Sequence, residues 1–229
     1  MPAPGKLIGS GRYADVYDIG RDRVVRRYRR PDMAVDRESQ IMNHARAHGV
    51  PVPEVFDACG SDIVMELLRG PTMLEVLARE PWTLWRQARL LAGLHTLVHR
   101  VPALDWLRAP FGAGSVLLHT DIHPDNVVIT ADGPALIDWQ GAARGPAEAD
   151  LAMTWVLTAT GQAPAHRRRT IFGPAGQHLF ARCYLAAAGP LERHWLSAAT
   201  AHRLADPALT STEAARLHRL SRRRQLGLP

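Results

Sequence analysis

His119-Thr120-Asp121-Ile122-His123-Pro124-Asp125-Asn126 runs into Val127-Val128-Ile129-Thr130, a turn at Ala131-Asp132-Gly133-Pro134, and Ala135-Leu136-Ile137-Asp138-Trp139. An apolar run, Val116 to Leu118, feeds into this stretch. Asp121 and Asn126 stand five apart, and two short apolar segments around a Gly-Pro turn predict a β-hairpin. The hairpin is expected to return a second carboxylate, Asp138, to the loop. A carboxylate, an amide and a carboxylate supply a proton acceptor and hard oxygen ligands for Mg²⁺, the parts that phosphoryl transfer from a nucleotide requires. The plainer alternative is a surface loop in which Asp and Asn only make turns. Spacing, flanking strands and the second acid together favour the chemical reading.

At these residues the chain resembles the aminoglycoside phosphotransferase and choline kinase branch of the protein-kinase-like superfamily. His119, Asp121 and Asn126 fill the pattern H-x-D-x-x-x-x-N. Asp138, in Ile-Asp-Trp-Gln, stands where protein kinases carry Asp-Phe-Gly, and Ile-Asp-Trp is typical of the small-molecule branch. The resemblance covers about the first 160 residues. It implies an α+β, bilobal fold: residues 1–68 a nucleotide-binding lobe with a small antiparallel sheet and one helix, residues 69–229 a mainly helical catalytic and acceptor-binding lobe. It also implies ATP and Mg²⁺ as cofactors. Asp121 would orient the acceptor hydroxyl and take its proton. His119, the other candidate catalytic residue, would brace the loop, and Asn126 and Asp138 would hold the metal.

Several upstream segments acquire meaning from that loop. Gly9-Ser10-Gly11 opens a stretch in which the third glycine of the kinase pattern is Ala14. Such a hairpin brings backbone N–H groups close to phosphates because glycine has no side chain in the way. Val24-Val25-Arg26-Arg27-Tyr28 is a predicted strand, and Arg26 takes the place of the family's phosphate-binding lysine, with a fork of donors instead of a point charge. Arg27 would face the other way, into solvent. A helix is expected over Pro31–His48, closed by Gly49, with Glu38 as partner of Arg26 and Asp36 as the alternative. Pro51–Ala58 and Ile63–Leu68 are two further predicted strands. In the family the second leads to the adenine-binding hinge, so that Met65 would back the base pocket and Glu66 to Leu68 would offer backbone groups.

Downstream, helices are expected at Thr72–Arg79 and Trp82–His99. His95 and His99 share a helix face at the spacing of a metal pair, but no glutamate follows His95. In the family Leu-His at this place is a packing feature, and metal binding is not expected there. Asp150 resembles the aspartate that braces the catalytic-loop backbone, with a carboxylate serving a helix N-terminus as the alternative. Further helices are expected from Glu148 to about Thr160 and over Pro174–Ala188, Leu191–Leu204 and Ser211–Arg224. The long activation segment of protein kinases is missing after Asp138, which argues against protein chains as substrates.

The chain has 229 residues, 46% hydrophobic and 22% charged, enough for a substantial core. No apolar run reaches membrane-spanning length and no secretory pattern opens the sequence, so a cytoplasmic, non-membrane protein is expected. Cys59 and Cys183 are read as two buried free thiols. The formal charge of +6 taken alone points to nucleic acid, but eleven arginines against three acids lie beyond residue 161, and the chain before that point is slightly acidic. Nucleic acid is therefore an unlikely partner. The sequence favours an ATP-dependent phosphotransferase acting on a hydroxyl of a small, neutral or anionic molecule. The alternatives are a catalytically weak nucleotide-binding module and a nucleic-acid-binding accessory protein.

Overall fold

The structure, a computed structural model, describes residues 5–11, 13–30, 35–160, 174–206 and 209–225, with Pro174 and the last four residues described without their side chains. The chain forms two compact units, Met1–Pro71 with Val128–Gln140, and Thr72–Val127 with Gly141–Pro229. They have the α+β character expected of a protein-kinase-like fold, one sheet-rich and one mainly helical.

In the first unit β1 (Lys6–Ser10), β2 (Ala14–Gly20), β3 (Arg23–Tyr28), β4 (Val55–Cys59) and β5 (Asp62–Glu66) make one antiparallel sheet in the order β1-β2-β3-β5-β4. Strand β3 lies at its centre, with Arg26 opposite Val16 on one side and Ile63 on the other. Alternation along a strand places Val24, Arg26 and Tyr28 on one face and Val25 and Arg27 on the other. Arg27 is not simply solvated, as expected from sequence. It holds Asp62, its cross-strand neighbour and a buried acid, through two bonds of 2.8 and 2.6 Å. An aspartate buried in a sheet needs such a partner.

Helix α1 (Val35–Ala47) buries Val35, Glu38, Ile41, Met42 and Ala45 at helical spacing. Its expected start at Pro31 lies outside the described residues. It ends at Gly49, whose φ of 83° suits a residue without a Cβ.

The hairpin of β7 (Val127–Thr130) and β8 (Gly133–Leu136) belongs mostly to the first unit, although the chain reaches it from the second. Ile129 N–H donates to the Pro71 carbonyl and Leu136 N–H to the Pro51 carbonyl, both at 2.8 Å. Gly70 makes this approach possible, since a Cβ there would lie 2.0 Å from the Ile129 carbonyl oxygen.

The second unit contains α2 (Met73–Arg79), α3 (Leu84–Val98), α4 (Ala147–Thr160), α5 (Pro174–Ala188), α6 (Arg193–Leu204) and α7 (Ser211–Gln225). Thr72 and Glu75 close a reciprocal capping box on α2. The single helix expected from Trp82 begins instead as a 3-10 turn at Pro81–Thr83 before α3. Its core packs Ala152, Met153 and Val156 of α4 on Leu196 and Ala199 of α6 and Leu217 of α7. Strand β6 (Val116–Leu118) pairs with β9 (Ala143–Gly145), a strand that sequence reasoning missed. Ala-Arg-Gly has no strand pattern of its own, and its conformation comes from pairing with β6.

Among the described residues no helix is long and apolar enough to cross a membrane. Both cysteines are free, but Cys59 is exposed at the end of β4 and Cys183 half-buried, so neither is the buried thiol expected.

Candidate active site

The first unit builds an ionic cluster on the Arg26 face of its sheet. Arg26 Nη1 donates to Glu38 Oε1 at 2.9 Å and Nη2 to Asp138 Oδ1 at 2.6 Å. The Tyr28 hydroxyl, two residues along the same face, donates to Glu38 Oε2. Glu38 is buried and Arg26 only 12% exposed, whereas Asp138 keeps 37% of its side chain accessible. Burial works against charge on Arg26, but Asp138 and Glu38 more than reverse this and raise its pKa. Burial pushes the Glu38 carboxyl up, Arg26 opposes that shift and Asp138 adds to it. Tyr28 is also raised, by burial and then by the Glu38 carboxylate. Asp138 has φ of 69°, a left-handed conformation uncommon outside glycine. Asp36, the alternative partner for Arg26, does not take part in these bonds.

The glycine-rich turn is tied down by Arg29, which sequence reasoning did not single out. Its Nη1 donates to the Gly11 carbonyl at 2.9 Å, and Nη2 reaches Ser10 Oγ at 2.9 Å and Asp15 Oδ1. Ser10 Oγ in turn donates to Asp15 Oδ1 at 2.7 Å. Gly9 lies in β1 opposite Val16. Across β3 from this turn Met65 is buried in β5, opposite Val24. The N–H of Glu66 is engaged by the Glu54 carbonyl at 2.8 Å, and that of Leu67 by Asp22 at 2.9 Å.

The second unit holds the loop from His119 to Asn126. Thr120 has φ of 65°, strained for a β-branched residue. Two hydrogen bonds keep it there. Its N–H donates to Asp150 Oδ1 at 2.7 Å, its hydroxyl donates to the Gly141 carbonyl at 2.9 Å, and a Cβ on Gly141 would crowd that hydroxyl at 2.8 Å. His119 is fully buried. Its N–H donates to Asp150 Oδ2 at 3.1 Å, and its ring Nδ1 accepts the Asp121 N–H at 3.3 Å. Asp150 is thus a fully buried carboxylate holding two successive backbone N–H groups of the loop. Burial opposes its charge, yet His95 and His99 beside it hold its carboxyl well below the usual range.

Asn126 Nδ2 donates both to the Asp121 carbonyl at 2.9 Å and to Asp121 Oδ2 at 3.0 Å, which turns its own Oδ1 away from Asp121. The Asp121 side chain is 40% exposed, with His123 Nε2 3.7 Å from Oδ2. Crowding of the carboxylate opposes its charge, but His123 and more weakly His119 and Arg203 overcome this and keep the carboxyl below its ordinary value. His123 lies inside the quoted loop and could have been found by its position two residues from Asp121. Arg203, on α6, had no signal in the sequence.

A family model described as the phosphotransferase enzyme family matches residues 4–112 and 66–179, together most of the chain. The chain belongs to that family. Its fold is similar to a choline/ethanolamine kinase family protein from Mesorhizobium loti, with a TM-score of 0.61 and 15% identity over 96% of this chain and 87% of the other. It is similar also to aminoglycoside phosphotransferase APH(3'')-Id from Streptomyces rimosus, with a TM-score of 0.59 and 13% identity over 93% of each chain. At such identities the likeness is one of fold. Thiamine kinases of Salmonella strains are 49% identical over 39 residues, which is 17% of this chain and only 14% of their own length. Membership of the family supports a phosphotransferase-like active site in this chain.

Proposed function

We propose that this protein transfers the γ-phosphate of ATP to a hydroxyl of a small molecule. The observation that carries the reading is the bonded pair of Asp121 and Asn126 on a loop held by a buried carboxylate, in a chain of this family. Asp121 stays ionised at neutral pH and orients the acceptor hydroxyl. In a loose transition state that hydroxyl becomes acidic late, so positioning matters more than basicity. Asn126 fixes the rotamer of Asp121. Arg26 offers a guanidinium to phosphate oxygens, and Glu38 and Tyr28 hold it in place.

The donor atoms suit Mg²⁺: Asp138 keeps a carboxylate oxygen beyond its bond to Arg26, Asn126 has its amide oxygen directed away from Asp121, and both are hard ligands. Mg²⁺, when bound with ATP, neutralises charge on the phosphates.

The acceptor is proposed to be neutral or anionic. A pocket for a polycation needs available carboxylates. Of the three acids beyond residue 161, Asp206 and Glu213 both face Arg203, and Glu192 pairs with His194 at 3.3 Å. The test is an ATP-consumption assay over a panel of sugars, sugar acids, amino alcohols, thiamine and kanamycin. Robust turnover of kanamycin or thiamine would replace the neutral or anionic acceptor by a cationic one.

A second reading, a nucleotide-binding module of weak activity, is favoured by one observation: both terminal nitrogens of Arg26 are engaged by carboxylates. Tight ATP binding without turnover across the panel would support it.

A further inference from the structure

The buried end of α3 carries chemistry that the transfer reaction does not use. His95 and His99, one turn apart, meet Asp150 of α4. His99 Nε2 lies 3.1 Å and His95 Nδ1 3.5 Å from the same oxygen, Asp150 Oδ2. One donor atom from each of the three lies within 4.8 Å of the others. His95 Nδ1 is buried and lacks a hydrogen-bond partner among the described residues.

The tautomer of His95 follows from its other nitrogen. Thr154 Oγ1 has one proton and donates it to the Ile122 carbonyl at 2.8 Å. It must therefore accept from His95 Nε2, 3.0 Å away, which puts the ring proton on Nε2. In the neutral ring Nδ1 then presents a lone pair toward a carboxylate oxygen. Two electron-rich atoms facing each other in a buried site need a proton or a metal ion between or beside them. The outer hydrogen bond to Thr154 is the kind that orients a metal-binding imidazole.

We infer that His95 Nδ1, His99 Nε2 and Asp150 Oδ2 form a site for one divalent transition-metal ion of the Zn²⁺ class. Two imidazoles and one carboxylate suit such an ion. Separations of 3.1 and 3.5 Å to the shared oxygen are close to those between donor atoms about 2.0–2.2 Å from a tetrahedral ion, and the two nitrogens, within 4.8 Å of each other, would draw together on binding. A cavity of about 450 Å³, lined by Trp85, Arg89, Thr96 and both histidines, leaves room for a fourth ligand, and Arg89 favours an anionic one. The site differs from the phosphate-associated oxygen ligands in donor type and in sequence. Its metal would act on the catalytic loop at second hand, because Asp150 also holds the N–H groups of His119 and Thr120.

The experiment is titration of chelator-treated, full-length protein with Co²⁺, read by visible absorption, with Zn²⁺ competition. One equivalent of Co²⁺ should give ligand-field bands of a nitrogen- and oxygen-ligated site, and Zn²⁺ should displace it. His99→Ala should weaken binding by roughly 10–100-fold or more. His95→Gln is the second variant should His99→Ala fail to fold. His44→Ala, which breaks the other histidine pair one turn apart, on α1, should leave the bands unchanged. Absence of a stoichiometric site, or bands that survive in His99→Ala and His95→Gln, would overturn the inference and leave a hydrogen-bonded His–Asp brace. A protein that binds Co²⁺ as described but fails to phosphorylate any acceptor would leave this site intact and sink only the proposed activity.

Discussion

Arg26 and Asp138, 112 residues apart in sequence, are joined by a 2.6 Å bond from Nη2 to Oδ1. The other end of the guanidinium holds Glu38. One cation thus sits between two carboxylates that would otherwise repel each other, one of them buried. A lysine in this position could supply the charge but not the two-ended fork.

Replacement of Arg26 therefore separates charge from geometry. Arg26→Ala leaves Glu38 buried without its cation, and breaking such a pair costs about 3–5 kcal/mol. The variant should show a clear fall in Tm and lose ATP affinity in a nucleotide titration. Arg26→Lys should keep most of the ATP affinity with a smaller loss of Tm. ATP binding of wild-type strength in a folded Arg26→Ala protein would remove Arg26 from phosphate binding.

Asp121→Ala should lower the transfer rate by ~10²–10⁴-fold, the range for a positioned general base, with ATP affinity nearly unchanged. Steady-state kinetics beside a nucleotide titration reads both. Turnover equal to wild type would exclude Asp121 from the reaction.

Asp150→Asn replaces a carboxylate that accepts two loop N–H groups by an amide with one acceptor oxygen. The strained Thr120 should relax, and kcat should fall more than the KM for ATP rises. Thermal unfolding should show a loss on the scale of a broken buried ion pair, about 3–5 kcal/mol. Unchanged kcat in the folded variant would show that the loop keeps its conformation without this brace.

A pH dependence follows from His202, in the last turn of α6 against the Phe111 ring at 4.8 Å. Burial and then Arg108 lower its pKa from 6.5, with Asp206 partly offsetting them. The unfolded chain takes up this proton first, so the contribution is complete above the ordinary value of 6.5 and is lost as pH falls below it. Tm measured from pH 7.5 to 5 should decline, and His202→Gln should flatten that decline. A slope identical in both proteins would show that His202 does not drive it.

The loop from His119 to Asn126 was readable in sequence because its residues are local: their spacing is fixed by the chain, and short strands on either side leave the turn few conformations. The helices of the second unit were readable for the same reason, since burial on one face imposes a period on the sequence. Glu38 could be placed on a helix, but its burial and its bond to Tyr28 depend on how α1 packs against the sheet. Arg27 was assigned to the solvent because alternation gives a direction and no neighbour; only strand pairing brought Asp62 to it. Strand β9 has no pattern of its own, and the hairpin of β7 and β8 lies with the first unit because backbone hydrogen bonds to Pro51 and Pro71 outweigh its place in the chain. The histidine pair shows the division best. Sequence set His95 and His99 one turn apart, and their spacing alone carried no metal. The third donor and the unpartnered Nδ1 arise from tertiary packing, which brings Asp150 and Thr154 to the same buried face as the histidines.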